Sequence, residues 1–333
     1  MARDGKIMAA ACRHFQADKA RRQARVEQCT AEAYRRVPAL EGIDRELRST
    51  AAKIVLAAFE NEDDPEKALE ELRRSNLELQ LRRADLLKEA GLPGDWLDDA
   101  PACGQCGDTG YLPDGGPCQC LLNYYTREQN RRLSKLMDLD NQSFSRFSLE
   151  WYGTEVWPDY GCSPRENMRL VRGMCETYAR TFPQGSANLL FTGAPGLGKT
   201  FLSACIAREV SERGFSVVYD TASHIFQQFE MRKFGREDPY EEDPDRDVNR
   251  YLKCDLLLMD DLGTEMNLPF SQSVVYQIVN DRLVNGRKTV LSTNLPVEEL
   301  GRRYGEAVLS RIRGEYQIVW FFGEDIRRLK RDR

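Results

Sequence analysis

Two short stretches of this 333-residue chain carry residue types that can do chemistry. From Gly193 to Thr200 the sequence reads GAPGLGKT, a G-x-x-x-x-G-K-[ST] pattern that follows the apolar run NLLFT and precedes FLSACIAREV. A glycine-rich loop between a strand and a helix lets backbone N–H groups wrap phosphate oxygens, and the helix N-terminus adds a favourable potential for negative charge. The expected phosphate-binding segment is Gly193, Ala194, Pro195, Gly196, Leu197, Gly198, Lys199, Thr200 and Phe201. In that role Lys199 reaches the β- and γ-phosphates of ATP, and the Thr200 hydroxyl is offered to Mg2+.

A second apolar run, LLLM, ends in Asp260 and Asp261. Open α/β sheets place their ligands at the carboxyl ends of their strands. Two carboxylates at such a position are costly without a cation to balance them, which points to Mg2+ held by Asp260 and a water oriented by Asp261. A third run, TVLST, ends at Asn294, a polar group suited to the γ-phosphate or the water; the same asparagine is also a good helix cap before LPVEEL.

The other stretch is CGQCGDTGYLPDGGPCQC, in which Cys103, Cys106, Cys118 and Cys120 form two short-spaced pairs. Four thiolates on facing turns suit a tetrahedral zinc ion, and four protein ligands leave no open position for catalysis, so the expected role is structural. A redox or incidental cluster is the alternative reading. The remaining cysteines are scattered, and with His14 and His224 as the only histidines a histidine-based triad has almost nothing to draw on.

Three regions must position these groups. Residues 1 to 100 are rich in Ala, Leu, Glu and Arg, with Ile43, Leu47, Ile54 and Ala58 along one side of a helix, and Leu69, Leu72, Leu79 and Leu86 along another. Asp64 before Pro65 is the expected start of that second helix, and Gly91 with Pro93 its end. The zinc module takes 101–125, a linker 126–164, and an ATPase domain 165–333. In the last region the runs NLLFT, SVVY, LLLMD, TVLST and QIVWFF alternate with helical segments, predicting an α/β fold with a parallel sheet buried on both faces. FGREDPYEEDPDRD is the expected surface loop. Charged residues make up 30% of the chain and the net charge is −5, so nothing advertises nucleic acid globally and any such surface must be local. No run has the length of a membrane span, and a cytoplasmic protein is expected.

The order of P-loop, two-acid strand end, Thr-Asn strand end and late arginines resembles the AAA+ ATPases. Within them it is similar to bacterial replicative helicase loaders of the DnaC and DnaI type and to IstB-type transposition helper ATPases. The resemblance runs from FSRFSLEWY at 144 through DLLLMDDLGTE and VLSRIRG to FFGEDIRR near 330. It implies that Arg311, with Arg313 close by, is an arginine finger reaching a neighbouring subunit's γ-phosphate, and that Arg327 contacts nucleotide in its own subunit. It further implies ATP hydrolysis with Mg2+, self-association through the ATPase domain, docking of the N-terminal region on a hexameric replicative helicase, and single-stranded DNA as a partner. A transposase partner, or a P-loop enzyme phosphorylating a small molecule, are the competing expectations.

Overall fold

The structure is a computed structural model that describes residues 3–60, 65–93, 96–97, 99–137, 139, 141–234, 244–265 and 269–332, without the side chains of 51–60, 65–69, 135 and 244–247. The chain divides into two compact units, Arg13–Cys118 on the one hand and Met1–Cys12 with Gln119–Arg333 on the other.

Long helices dominate the beginning of the chain: α1 (Gly5–Arg36), α2 (Ala39–Glu60) and α3 (Pro65–Glu89). Their alanine- and leucine-rich composition and lack of internal proline favour this state, and α2 packs along α3. Ala33, Leu40, Leu87, Leu92 and Leu97 form a small apolar centre. Gly91, at φ 70°, closes α3. Leu92 N–H donates to Leu87 O at 2.9 Å and Gly91 N–H to Lys88 O at 3.0 Å, the paired bonds of a Schellman end. Of the anticipated α2 stripe Ile43 is buried; the side chains of Ile54, Ala58 and Leu69, the capping position Asp64, and residues 235–243 of the acidic loop lie outside the described residues.

The other unit takes in the start of α1, then α4 (Gln119–Leu136) and α5 (Pro164–Thr181), followed by strands and helices: β1 (Asn188–Thr192), α6 (Lys199–Glu212), β2 (Val217–Thr221), α7 (Ala222–Phe234), α8 (Pro244–Lys253), β3 (Leu256–Leu262), α9 (Pro269–Val284), β4 (Lys288–Thr293), α10 (Val297–Tyr304), α11 (Glu306–Glu315), β5 (Tyr316–Trp320) and α12 (Ile326–Arg331). The five strands form one parallel sheet in the order β2-β3-β4-β1-β5. Each apolar run supplies both faces. Leu189 and Phe191 point into one core with α5 and α6, and Leu190 into another with α7 to α11. This is the P-loop α/β class expected from the sequence. Residues 126–164, expected as a linker, carry most of α4 and contribute Leu133, Met137, Leu139, Phe147 and Tyr152 to the first core.

One buried cation ties the amino ends of two strands together. Arg282 on α9 is fully buried. It donates to Thr289 Oγ1 (2.9 Å), Tyr251 O (2.6 Å), Cys254 O (3.1 Å), Asp255 O (3.4 Å) and Lys288 O (2.5 Å), joining the end of α8 to the starts of β3 and β4. Removing it leaves those buried acceptors without a donor. Arg282→Ala should therefore lower the unfolding free energy by about 3 kcal/mol or more, read as a shifted urea midpoint, with Arg282→Lys recovering only part of it.

Candidate nucleotide-binding site

The phosphate loop sits where β1 turns into α6, and its glycines are there for want of room. A Cβ on Gly193 would run into the Phe321 backbone, and one on Gly196 into the Asp325 carboxylate. Gly198, at φ 91°, starts α6 and lies 2.8 Å, measured from an ideal Cβ, from the Tyr152 hydroxyl. Tyr152 O–H donates to Leu197 O at 2.9 Å, and Phe147 packs edge-on to Phe201 with ring centres 5.5 Å apart. From the other side Ile326 N–H donates to Gly196 O at 3.1 Å, so the start of α12 also holds the loop.

Lys199 is 6% exposed, and its ammonium donates to Gly193 O (2.6 Å), Ala194 O (2.8 Å) and Asn294 Oδ1 (2.6 Å). Burial pushes its pKa down to about 8; the Asp260 and Asp261 carboxylates work against that shift and the Arg327 guanidinium adds to it. Asn294 does not cap α10, whose cap position is Pro296.

Asp260 and Asp261 part company at the end of β3. The pairing of β3 with β4 shifts register between Met259 and Leu262, and Asp261 adopts φ 54°. Such a bulge re-aims side chains. Asp260 stays buried at 4% exposure. Its Oδ2 accepts from Thr200 Oγ1 (2.9 Å) and Tyr219 O–H (3.0 Å), and its Oδ1 from Asp261 N–H (3.0 Å) and the Ser292 hydroxyl. Asp261 is exposed and faces the cavity; partial desolvation, then the neighbouring Asp260, raise its pKa. One buried carboxylate rather than two is therefore balanced here, and neutral donors do much of the balancing. Thr200 Oγ1 beside Asp260 is a donor set of the kind Mg2+ takes, hard oxygens alone.

These groups surround a cavity of about 500 Å3 lined by Pro195 to Phe201, Asp261, Asn294 and Arg327. Sequence reasoning missed part of its wall: Arg146, Phe147, Trp151 and Tyr152 from the stretch before α5, and Lys330, whose ammonium lies 5.4 Å from the Trp151 ring centre. The one signal was the aromatic density of FSRFSLEWY. Arg311 lies elsewhere. Its guanidinium donates to Asn280 Oδ1 (2.9 Å) and the Tyr276 hydroxyl (3.1 Å) and stands over the Tyr276 ring, whereas Arg313 approaches Glu298 at 3.5 Å.

A model of a protein family described as IstB-like ATP binding protein matches residues 158–332. The chain belongs to that family. The IstB-like ATP-binding assignment agrees with the AAA+ resemblance read from the motifs. Among curated proteins, the replicative helicase loader DnaC of Escherichia coli (strain K12) is 32% identical over 138 residues, 41% of this chain and 54% of that protein. The uncharacterized protein YdaV of Escherichia coli (strain K12) is 25% identical over 151 residues, covering 44% and 57%. The chain thus spans about half the length of the curated relatives it matches. A crystal structure of the DnaC helicase loader aligns at TM-score 0.43 and 20% identity, over 54% of this chain and 98% of that one.

The cysteine cluster has its own geometry. The Sγ atoms of Cys103, Cys106, Cys118 and Cys120 lie within 4.8 Å of one another, and Cys103 and Cys118 are 3.7 Å apart. Tetrahedral Zn–S bonds of about 2.3 Å put ligand sulfurs about 3.8 Å apart, so the four thiols fit that ion. Asp108, at φ 58°, accepts from Cys103 N–H (3.0 Å), Ala102 N–H (3.1 Å) and Arg22 (3.0 Å), bracing the first knuckle against α1. Among the described residues no helix is long and apolar enough to cross a membrane.

The lowered Lys199 pKa carries a sign. The native state resists the charged ammonium, so between about 8 and its ordinary 10.5 the unfolded chain holds more protons and stability rises with pH; below 8 the penalty is fully present. A polyphosphate favours the charged form. The dissociation constant for ATP should therefore be flat below about pH 8 and rise above it, measured by titration calorimetry across that range, while Lys199→Arg, which does not deprotonate there, should bind without the step.

Proposed function

We propose that this chain is a Mg2+-dependent ATPase that loads a hexameric replicative helicase onto single-stranded DNA. The observation that carries the reading is the convergence of Lys199, Thr200, Asp261, Asn294 and Arg327 on one cavity, with Asp260 directly beneath Thr200. The 32% identity to a protein named a replicative helicase loader supports the cellular role.

In this reading Lys199 exchanges its loop carbonyls for β- and γ-phosphate oxygens, while the amides from Gly196 to Thr200 turn toward the same charge. Thr200 and Asp260 hold Mg2+, which neutralises charge on the phosphoryl oxygens when bound. Asp261, turned toward the cavity at the bulge in β3, orients and polarises the attacking water; Asn294 positions that water or the γ-phosphate. Arg327 contacts the nucleotide from within the subunit. Arg311, held ready by Asn280 and Tyr276, reaches the γ-phosphate of a second copy, and a finger of this kind is worth about 10³ to 10⁵ in rate. The ATPase unit assembles on single-stranded DNA and the helical region with its zinc module docks on the helicase. Cys103, Cys106, Cys118 and Cys120 would hold a zinc ion that stiffens the module and takes no part in hydrolysis.

Full-length protein mixed with a hexameric replicative helicase should co-elute with it and transfer it to a single-stranded circle. Lys199→Ala should abolish nucleotide binding. Asp261→Asn should keep binding yet cut phosphate release at least about 100-fold, in the range of lost water activation. Capture of a transposase instead, or a phosphorylated small-molecule acceptor, would overturn the loader assignment, and normal turnover by Asp261→Asn would remove that residue from the chemistry. Native mass spectrometry should further show one zinc per chain, lost on replacing Cys103 and Cys106 together by serine; unchanged metal content would exclude these thiols as ligands.

A further inference from the structure

A second, smaller cavity opens at the amino-terminal ends of β2 and β3, away from the strand ends that carry Asp260 and Asp261. It measures about 150 Å3, against about 500 Å3 for the nucleotide cavity, room for a compact ion and not for a nucleotide. Arg3 and Lys6 from the start of α1, and Arg250 and Lys253 from the end of α8, line it, with Asp4 as its single carboxylate.

Asp4 is committed to capping α1, accepting Lys6 N–H at 2.8 Å and Ile7 N–H at 3.1 Å. Arg3 Nε and Arg250 Nε are buried without a hydrogen-bond partner. Gln129 and Ser216 in the wall are taken: Gln129 bridges Phe215 O (2.8 Å) and Val217 N–H (3.1 Å), and Ser216 is bound through its N–H (2.9 Å) and hydroxyl (2.8 Å) to Asp255. Arg3, Arg250 and Lys253 beside one occupied carboxylate, with two buried guanidinium N–H groups unspent, ask for an anion of several acceptor oxygens.

We propose that this cavity is a phosphoryl-oxyanion site distinct from the P-loop. Its ligand is a tetrahedral phosphate group that accepts from Arg3 and Arg250, with Lys6 and Lys253 supplying charge. Helix polarity is not what recruits it, since the Asp4 carboxylate already occupies the first-turn amides of α1. The phosphate belongs either to a free ion or to a phosphodiester of a single strand.

Equilibrium dialysis of the full chain with radiolabelled inorganic phosphate separates these cases. The P-loop is filled with saturating ADP and ionic strength is held constant with chloride. One phosphate per chain is expected. Arg3→Gln with Arg250→Gln should weaken uptake about tenfold or more, each tenfold being about 1.4 kcal/mol. Asp4→Asn, which retains a capping residue, should tighten it, and Arg45→Gln, exposed on α2, should leave it unchanged. If a short oligothymidylate binds in the same assay with the same dependence on Arg3, Arg250 and Asp4, the phosphodiester is the source. Uptake of both probes that is indifferent to these three residues, or absent from wild-type protein, would overturn the site. Because ADP uptake is read separately, failure at the P-loop and failure here are distinguishable.

Discussion

Two opposite charges, buried at the start of α6 and near the end of β3, set the terms for the rest of the ATPase unit. Lys199 and Asp260 are 6% and 4% exposed, no direct ion pair joins them, and each is met by neutral partners. A buried charge left without partners costs several kcal/mol. The loop carbonyls, Asn294, Tyr219, Thr200 and Ser292 must therefore be in place together, and they come from the phosphate loop, β2, the start of α6 and the end of β4. That requirement fixes the register of β1, β2, β3 and β4 against one another more tightly than apolar packing alone, because a slip of one residue would bury a charge without its donors.

The same requirement extends outward through the loop after β3. Gly263 N–H donates to Glu265 Oε2 at 2.9 Å, and Glu265 also takes Arg303 Nε at 3.1 Å and the Tyr304 hydroxyl at the end of α10. A Cβ on Gly301 would come within 2.6 Å of Leu309, so α10 and α11 approach too closely to move independently. Arg311 sits on α11 and is steadied from α9 by Asn280 and Tyr276. The loop that follows Asp261 and the helix bearing Arg311 are thus joined by a short series of bonds and contacts. A guanidinium held over a tyrosine ring loses less rotamer freedom on meeting a phosphate than a free surface arginine would.

Much of this was legible in the residues. Each strand was announced by an apolar run in which successive side chains serve opposite cores, and the P-loop pattern carries its own steric reasons in Gly193, Gly196 and Gly198. What stayed hidden depends on contacts distant in sequence. The stretch containing Phe147, Trp151 and Tyr152 forms two single 3-10 turns, Phe144–Arg146 and Leu149–Trp151, with no periodicity to betray it, and its place is set by Gly198 and Leu197 some fifty residues on. The different fates of Asp260 and Asp261 follow from a bulge that two identical adjacent letters cannot signal. Nothing in the string marks Arg282 out from the other arginines, since its burial is decided by Tyr251, Thr289 and the carbonyls around them.

Arg282 also supplies the standard by which the other basic residues of this unit can be judged. At the amino ends of β3 and β4 its Nε and both terminal nitrogens have acceptors, all of them uncharged protein atoms, and full burial is then tolerable because no donor is wasted. Cys254, whose carbonyl is one of those acceptors, also lines the smaller cavity, so the two environments are adjacent. On one side of Cys254 an arginine is satisfied by the fold itself. On the other, Arg3 and Arg250 bury an Nε that the fold does not satisfy. Since the same strand ends offer carbonyls enough to satisfy a guanidinium, leaving two unsatisfied a few residues away is a cost that packing does not explain and an oxyanion would remove.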